Sequence, residues 1–172
     1  MKAVLLGIMD VFQKPLAAYG MLFNYNIPFL DKVLDKVIFV QIKRDPVTNV
    51  ASVLEARKRQ LGSEEEWYSF KIPEYEQLKG QAPMMQAAGQ VHYINKAVTD
   101  GLEGVDQSRK LVVQYEDFCD NPGRVFAELK EKLVVNGHTV EQDYNLQARF
   151  EVTRKVDTDA NIITACRKFS GE

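Results

Sequence analysis

The chain has 172 residues, enough for one domain with a core of ordinary size, and 45% hydrophobic with 27% charged residues is the composition of a globular protein. The net charge of −2 excludes a global basic field for nucleic acid or anionic lipid, so any anion site must be local. The two cysteines, Cys119 and Cys166, form no CxxC pair, and His92 and His138 stand in no HxxH or HExxH context. That pattern argues for free thiols and against a disulfide framework or a zinc site.

No apolar run approaches the ~20 residues of a membrane span. The apolar start from Met1 to Met9 ends at Asp10 with no small-residue cleavage site, which argues against a signal peptide. Residues 2–14 read as a helix or a buried segment that stops near Pro15. Tyr19 to Tyr25 is short, apolar and aromatic and reads as a strand. Pro28 to Asp35 reads as a short helix with Phe29, Leu30, Val33 and Leu34 on one face. Val37 to Ile42 is a continuous apolar run, rich in β-branched residues and broken only by Gln41, the pattern of a strand buried on both faces in a parallel sheet.

The next helix has clear start signals: Asp45 suits the N-cap and Pro46 the first helical position. Val47, Val50, Ala51 and Leu54 follow at core spacing, and Thr48, Ser52, Glu55 and Arg59 form a separate polar face. Residues 62–80 read as a long polar and aromatic excursion, with Glu64, Glu65 and Glu66 as a solvated helix start. Met84 to Leu102 is a strong helix in which His92 reads as structural. Lys110 to Tyr115 is a second buried strand. Asn121-Pro122 opens a further helix with Val125, Phe126, Leu129 and Leu133 as its apolar stripe, and the polar tail from Gly137 has no clear assignment. This order predicts an α/β fold of one domain, 1–172, with a parallel sheet flanked by helices.

Ligands of open α/β sheets sit at the carboxyl ends of the strands, where Arg44 and Tyr115 both fall. Arg44 also adjoins a helix N-terminus, whose free N–H groups and dipole favour an anion. Its guanidinium offers a fork matched to phosphate oxygens, and Ser52, two turns into the helix, lies on the polar face. The competing reading pairs Arg44 with a carboxylate such as Asp45 and leaves Ser52 without a role.

The stretch "FVQIKRDPVTNVAS" resembles the 3′-phosphate-binding motif of sulfotransferases that use 3′-phosphoadenosine-5′-phosphosulfate (PAPS): a strand ending in Arg-Asp-Pro, with a serine eight residues after the arginine. A second stretch, "LVVQYEDFCDNPGRVFAELKEKL", is similar to the family's later strand, its Tyr-Glu-Asp turn and the helix that follows. The resemblance implies a sulfotransferase fold of the P-loop nucleotide hydrolase-like class. It implies sulfuryl transfer from PAPS to a hydroxyl or amine acceptor, carbohydrate or small molecule. Arg44 and Ser52 would hold the 3′-phosphate, Tyr115 would lie near the adenine, and no metal is required. Nucleic acid is not an implied partner.

The resemblance fails at the front of the chain. Nothing in residues 1–41 is similar to the family's phosphosulfate-binding loop, and this stretch holds no histidine or glutamate to serve as catalytic base. The expectation is therefore an incomplete sulfotransferase domain, the later part of a longer enzyme, that is inactive alone and has no assigned catalytic residue. A degenerate relative is the alternative. Asn26 falls where the family has an asparagine, but no lysine precedes it, so nothing catalytic is carried there. Arg167-Lys168 resembles a basic element near the family's carboxyl end, with Phe169 standing where a glycine is expected. Residues 62–80 are the expected acceptor-side loop, where Trp67, Tyr68 and Tyr75 offer stacking faces or else cover the core edge. An uncovered sheet edge leaves room for homo-oligomers. A non-catalytic nucleotide-binding module and a truncated kinase-like transferase are the rival functions.

Overall fold

The structure, a computed structural model, describes residues 2–13, 16–152 and 159–171. Among the described residues, eight α-helices and two strands run in chain order: α1 (Lys2–Phe12), α2 (Ile27–Val33), β1 (Phe39–Lys43), α3 (Pro46–Leu61), α4 (Tyr75–Leu78), α5 (Pro83–Glu103), β2 (Lys110–Gln114), α6 (Tyr115–Asp120), α7 (Pro122–Val135) and α8 (Ala160–Ser170). The α/β class and the parallel sheet expected from the sequence are present. Among the described residues the sheet has two strands, with Phe39 opposite Lys110 and Lys43 opposite Gln114.

The start signals of the helices work as their chemistry dictates. The Asp45 carboxylate accepts from Thr48 N at 2.7 Å, with Pro46 at the first helical position. The Asn121 side chain accepts from Arg124 N at 3.0 Å and opens α7. α3 ends at Gly62, whose left-handed φ of +77° suits a residue without a side chain. The main core lies between α3, α5 and α8, where Val50, Leu54, Ala87, Ala88, Val91, Ile162 and Ala165 are buried together. A smaller cluster of Ile27, Leu102 and Val105 seats α2 against the end of α5. The half-buried ion pair Arg109–Asp31, at 2.6 Å, ties α2 to the start of β2.

Several sequence expectations are corrected. The strands are not buried on both faces: Val40, Ile42 and Val112 are exposed, while Gln41, Leu111 and Val113 are buried. Each strand is covered on one side only. Gln41 Nε2 reaches Thr99 Oγ1 of α5 at 3.3 Å, and β2 contacts α6 and α7. Tyr19 to Tyr25 is not a strand. Phe23 N bonds Gly20 O and Asn26 N bonds Phe23 O, both at 2.8 Å, so the segment closes into a 3₁₀ turn at Gly20–Leu22 and a second turn.

Of the two readings of the first segment the helix holds and the buried segment does not: α1 has no buried residue, and Lys2 Nζ bonds Asp35 Oδ2 at 2.9 Å. Residues 14 and 15, including the expected stop at Pro15, lie outside the described residues. Of the face expected for α2, Leu30 is buried, joined by Ile27, whereas Phe29 is exposed. Glu64, Glu65 and Glu66 do not start a helix; they follow the α3 cap as bends. The excursion 62–80 is partly core, because Ile72 and Leu78 are buried and α4 lies within it. The unassigned tail supplies α8, whose N-cap Asp159 accepts from Asn161 N at 2.8 Å.

Candidate functional site

Parallel pairing builds the site. Because Lys43 stands opposite Gln114, the residues that follow the two strands, Arg44 and Tyr115, leave the sheet side by side. The Arg44 guanidinium carbon lies 4.7 Å from the centre of the Tyr115 ring, a cation–π contact. Its Nη1 donates to Ser52 Oγ at 3.4 Å, across the first two turns of α3. All three residues are half-buried, so each keeps a solvent-facing side. The three residues singled out from the sequence therefore meet at the carboxyl ends of the two strands.

The Ser52 hydroxyl has one proton, and it is donated back to Thr48 O at 2.9 Å. As it stands, the hydroxyl is an acceptor for Arg44. A phosphate oxygen only accepts, so Ser52 would have to turn its proton from Thr48 O toward the ligand. Asp45 changes the helix N-terminus argument: its carboxylate already occupies the first turn of α3 through Thr48 N. Recognition of an anion then rests on the Arg44 and Ser52 side chains more than on the dipole. One face of Tyr115 carries the guanidinium, so a base would stack on the opposite face or displace Arg44.

α8 closes the neighbourhood. Cys166 packs on the core beside α3, and burial, followed by the nearby Asp45 carboxylate, pushes its thiol pKa above the ordinary value. Both cysteines are free, Cys119 buried and Cys166 half-buried. Arg167 and Lys168 are exposed on α8. His92 rests against Tyr93 and Phe169, ring centres at 5.2 and 5.8 Å, in keeping with a structural role. Two surface grooves lie elsewhere, one along Lys110, Leu111, Glu128 and Lys132, the other between α1 and the turn at Gly137–Thr139.

In the expected acceptor-side loop, Trp67 packs edge-on against Tyr75, ring centres 4.9 Å apart, and Lys71 sits over the Tyr75 ring at 4.5 Å. These aromatic faces are partly spent on one another. Behind them lies a cluster that the sequence reading missed: Arg57 of α3, fully buried, with Gln86 and Gln90 of α5. Arg57 Nη1 donates to Gln86 Oε1 at 2.9 Å and to Glu64 O at 3.1 Å. Burial lowers the pKa of this guanidinium below its usual value. The signal was present: position 57 continues the apolar stripe of Val50 and Leu54, and a cation on a core stripe needs buried partners.

No protein-family model, no curated protein and no solved structure matches the chain.

Proposed function

We propose that this chain carries the nucleotide-recognition half of a PAPS-dependent sulfotransferase, with Arg44 and Ser52 binding the 3′-phosphate and Tyr115 the adenine. The observation that supports the reading is the meeting of Arg44, Ser52 and Tyr115 at the carboxyl ends of two parallel strands. A guanidinium and a hydroxyl one bond apart can share the oxygens of a single phosphate, and an aromatic face beside them suits a purine. The acceptor, a carbohydrate or small molecule with a hydroxyl or amine, would meet the sulfuryl group from the side of residues 62–80. Attack on sulfur, with the bisphosphate leaving, needs cations or amides on the sulfuryl oxygens and a base for the acceptor proton. No residue of this chain is assigned to those two tasks.

A binding module without chemistry is the second reading. It draws on the same three residues, Arg44, Ser52 and Tyr115, and needs no group for the sulfuryl transfer. In both readings the nucleotide is adenosine 3′,5′-bisphosphate, and the experiment compares it with adenosine 5′-monophosphate by calorimetry. Arg44→Ala is expected to weaken the bisphosphate by about 10- to 150-fold, the worth of a charge-assisted hydrogen bond of roughly 1.5–3 kcal/mol. The monophosphate should lose far less. Equal losses for the two ligands, or no preference for the bisphosphate in the unaltered chain, would sink the 3′-phosphate assignment.

A further inference from the structure

Residues 63–70 follow one left-handed backbone position, Gly62 (φ +77°), and contain a second, Ser69 (φ +74°), a conformation that costs a serine energy. None of residues 63–71 is buried, whereas Ile72 and Leu78 anchor the later part of the loop in the core. Ring contacts of Trp67 with Tyr75 and of Phe70 with Tyr25 and the Lys58–Glu64 ion pair hold the early part, together with hydrogen bonds. Arg57 bonds Glu64 O, Gln90 Nε2 donates to Tyr68 O at 3.0 Å, and Trp67 Nε1 donates to Phe70 O at 3.1 Å. The Arg57 guanidinium carbon also lies 5.4 Å from the centre of the Trp67 ring. Gln86 pins the later part separately, donating to Lys79 O at 3.1 Å and Gln81 O at 2.8 Å.

This closed arrangement is incompletely satisfied. Among the described residues, Arg57 Nε and Nη2 and Gln90 Oε1 are buried with no hydrogen-bond partner. Nε and Nη2 form the side-on fork of a guanidinium, the edge that otherwise binds two oxygens. Opening the segment would give those donors water, so part of the cost of opening is returned. We propose that residues 63–68 are a flap, hinged at Gly62 and Ser69, and that Arg57, with Gln90, is the latch that positions it. The flap follows directly on α3 and is held from Arg57, so the latch sets how Trp67 is presented to solvent. Placing an acceptor against Trp67 rests on the function proposed above; the latch itself does not.

Trp67 is the only tryptophan and reports the flap directly. Arg57→Met keeps length and removes the bonds. Acrylamide quenching of Trp67 is expected to rise about two-fold or more, with red-shifted emission and faster chymotryptic cleavage at Trp67 and Tyr68. Far-UV circular dichroism and bisphosphate affinity should stay at the unaltered values. Arg57→Lys, which keeps the charge but cannot serve two acceptors in fork geometry, should fall between. A folded Arg57→Met protein with Trp67 as protected as before would overturn the latch. If that variant does not fold, Gln90→Leu decides by the same readouts: it leaves Arg57 on Gln86 and removes only the pin on Tyr68 O, and unchanged quenching overturns the proposal. Failure of the unaltered chain to bind the bisphosphate would remove the nucleotide reading and leave the latch standing.

Discussion

Ser52 is bonded to both its partners on the polar side of α3, and truncating it opens no space in the core formed by Val50 and Leu54. Ser52→Ala should therefore leave the melting temperature within a degree or two of the original. It should weaken the bisphosphate by about 2- to 10-fold, less than a full charge-assisted hydrogen bond, because the hydroxyl gives up its bond to Thr48 O to reach the phosphate. A large thermal loss with binding unchanged would make Ser52 a structural residue instead. Cys166 supports a second expectation. Its folded pKa is raised, chiefly by burial, so in alkaline solution the unfolded thiol ionises first. The stability from the neutral thiol is present below the unfolded value of about 8.5 and is lost as pH rises through the folded one. At pH 8 iodoacetamide should modify Cys166 more slowly in the native chain than in urea, read by mass spectrometry; equal rates would contradict the shift. The meeting of Arg44 and Tyr115 was legible from two strand ends and parallel pairing. The burial of Arg57 was legible from its place on the stripe of Val50 and Leu54, but its partners were not, because Glu64 O belongs to a loop whose path no periodicity encodes and Gln86 stands on another helix.

At the scale of elements, α5 is the hub, and Gly89 is where its neighbours come closest. A Cβ there would lie 2.6 and 2.9 Å from the Leu78 methyls and 3.0 Å from Phe169 Cζ, so α4 and α8 both pack onto a position with no side chain. Gly89→Ala gains helix propensity of about 1 kcal/mol and loses roughly 1–3 kcal/mol to overpacking. The net expectation is a destabilisation of about 1 kcal/mol, seen as a melting temperature lower by about 2–4 °C. A double-mutant cycle adds the sharper test: Leu78→Ala should cost less in the Gly89→Ala background than in the original. Additive costs would mean that the two do not touch. α3 and α7 were readable because capping chemistry and a 3.6-residue apolar period agree along them, and α5 by its apolar period without a side-chain cap. Tyr19 to Tyr25 was misread because aromatic content suggests a strand, while Gly20 and the asparagines give the backbone local 3₁₀ bonds. The strand burial was misread because an apolar run does not say how many layers cover it.

Across the whole molecule, the covering of the sheet is diagonal. α5 lies under Gln41 of β1, the far side of β1 shows Val40 and Ile42, and Val112 of β2 is exposed as well. Each strand has one neighbour among the described residues, so each also has an outer edge. Apolar side chains beside an unpaired edge are surfaces that proteins usually cover or protect. α1 adds Val4, Val11 and Phe12, all more than half exposed. No described helix is long and apolar enough to cross a membrane.

The pairing of β1 with β2 carries a consequence for the order of events in time. The two strands meet only after α3, the loop and all of α5 have intervened, whereas the α3–α5 packing joins near neighbours in sequence. Closing the longer loop costs more entropy before any ladder bond repays it, so the helices should assemble first and the site at the strand ends last. Val113→Ala removes a buried β2 side chain and should cost roughly 2 kcal/mol. In stopped-flow chevrons that loss should fall almost wholly on unfolding, about 30-fold faster, with refolding barely changed. Refolding slowed by the same factor would mean that the strands zip before the helices pack, and that Arg44 and Tyr115 meet early.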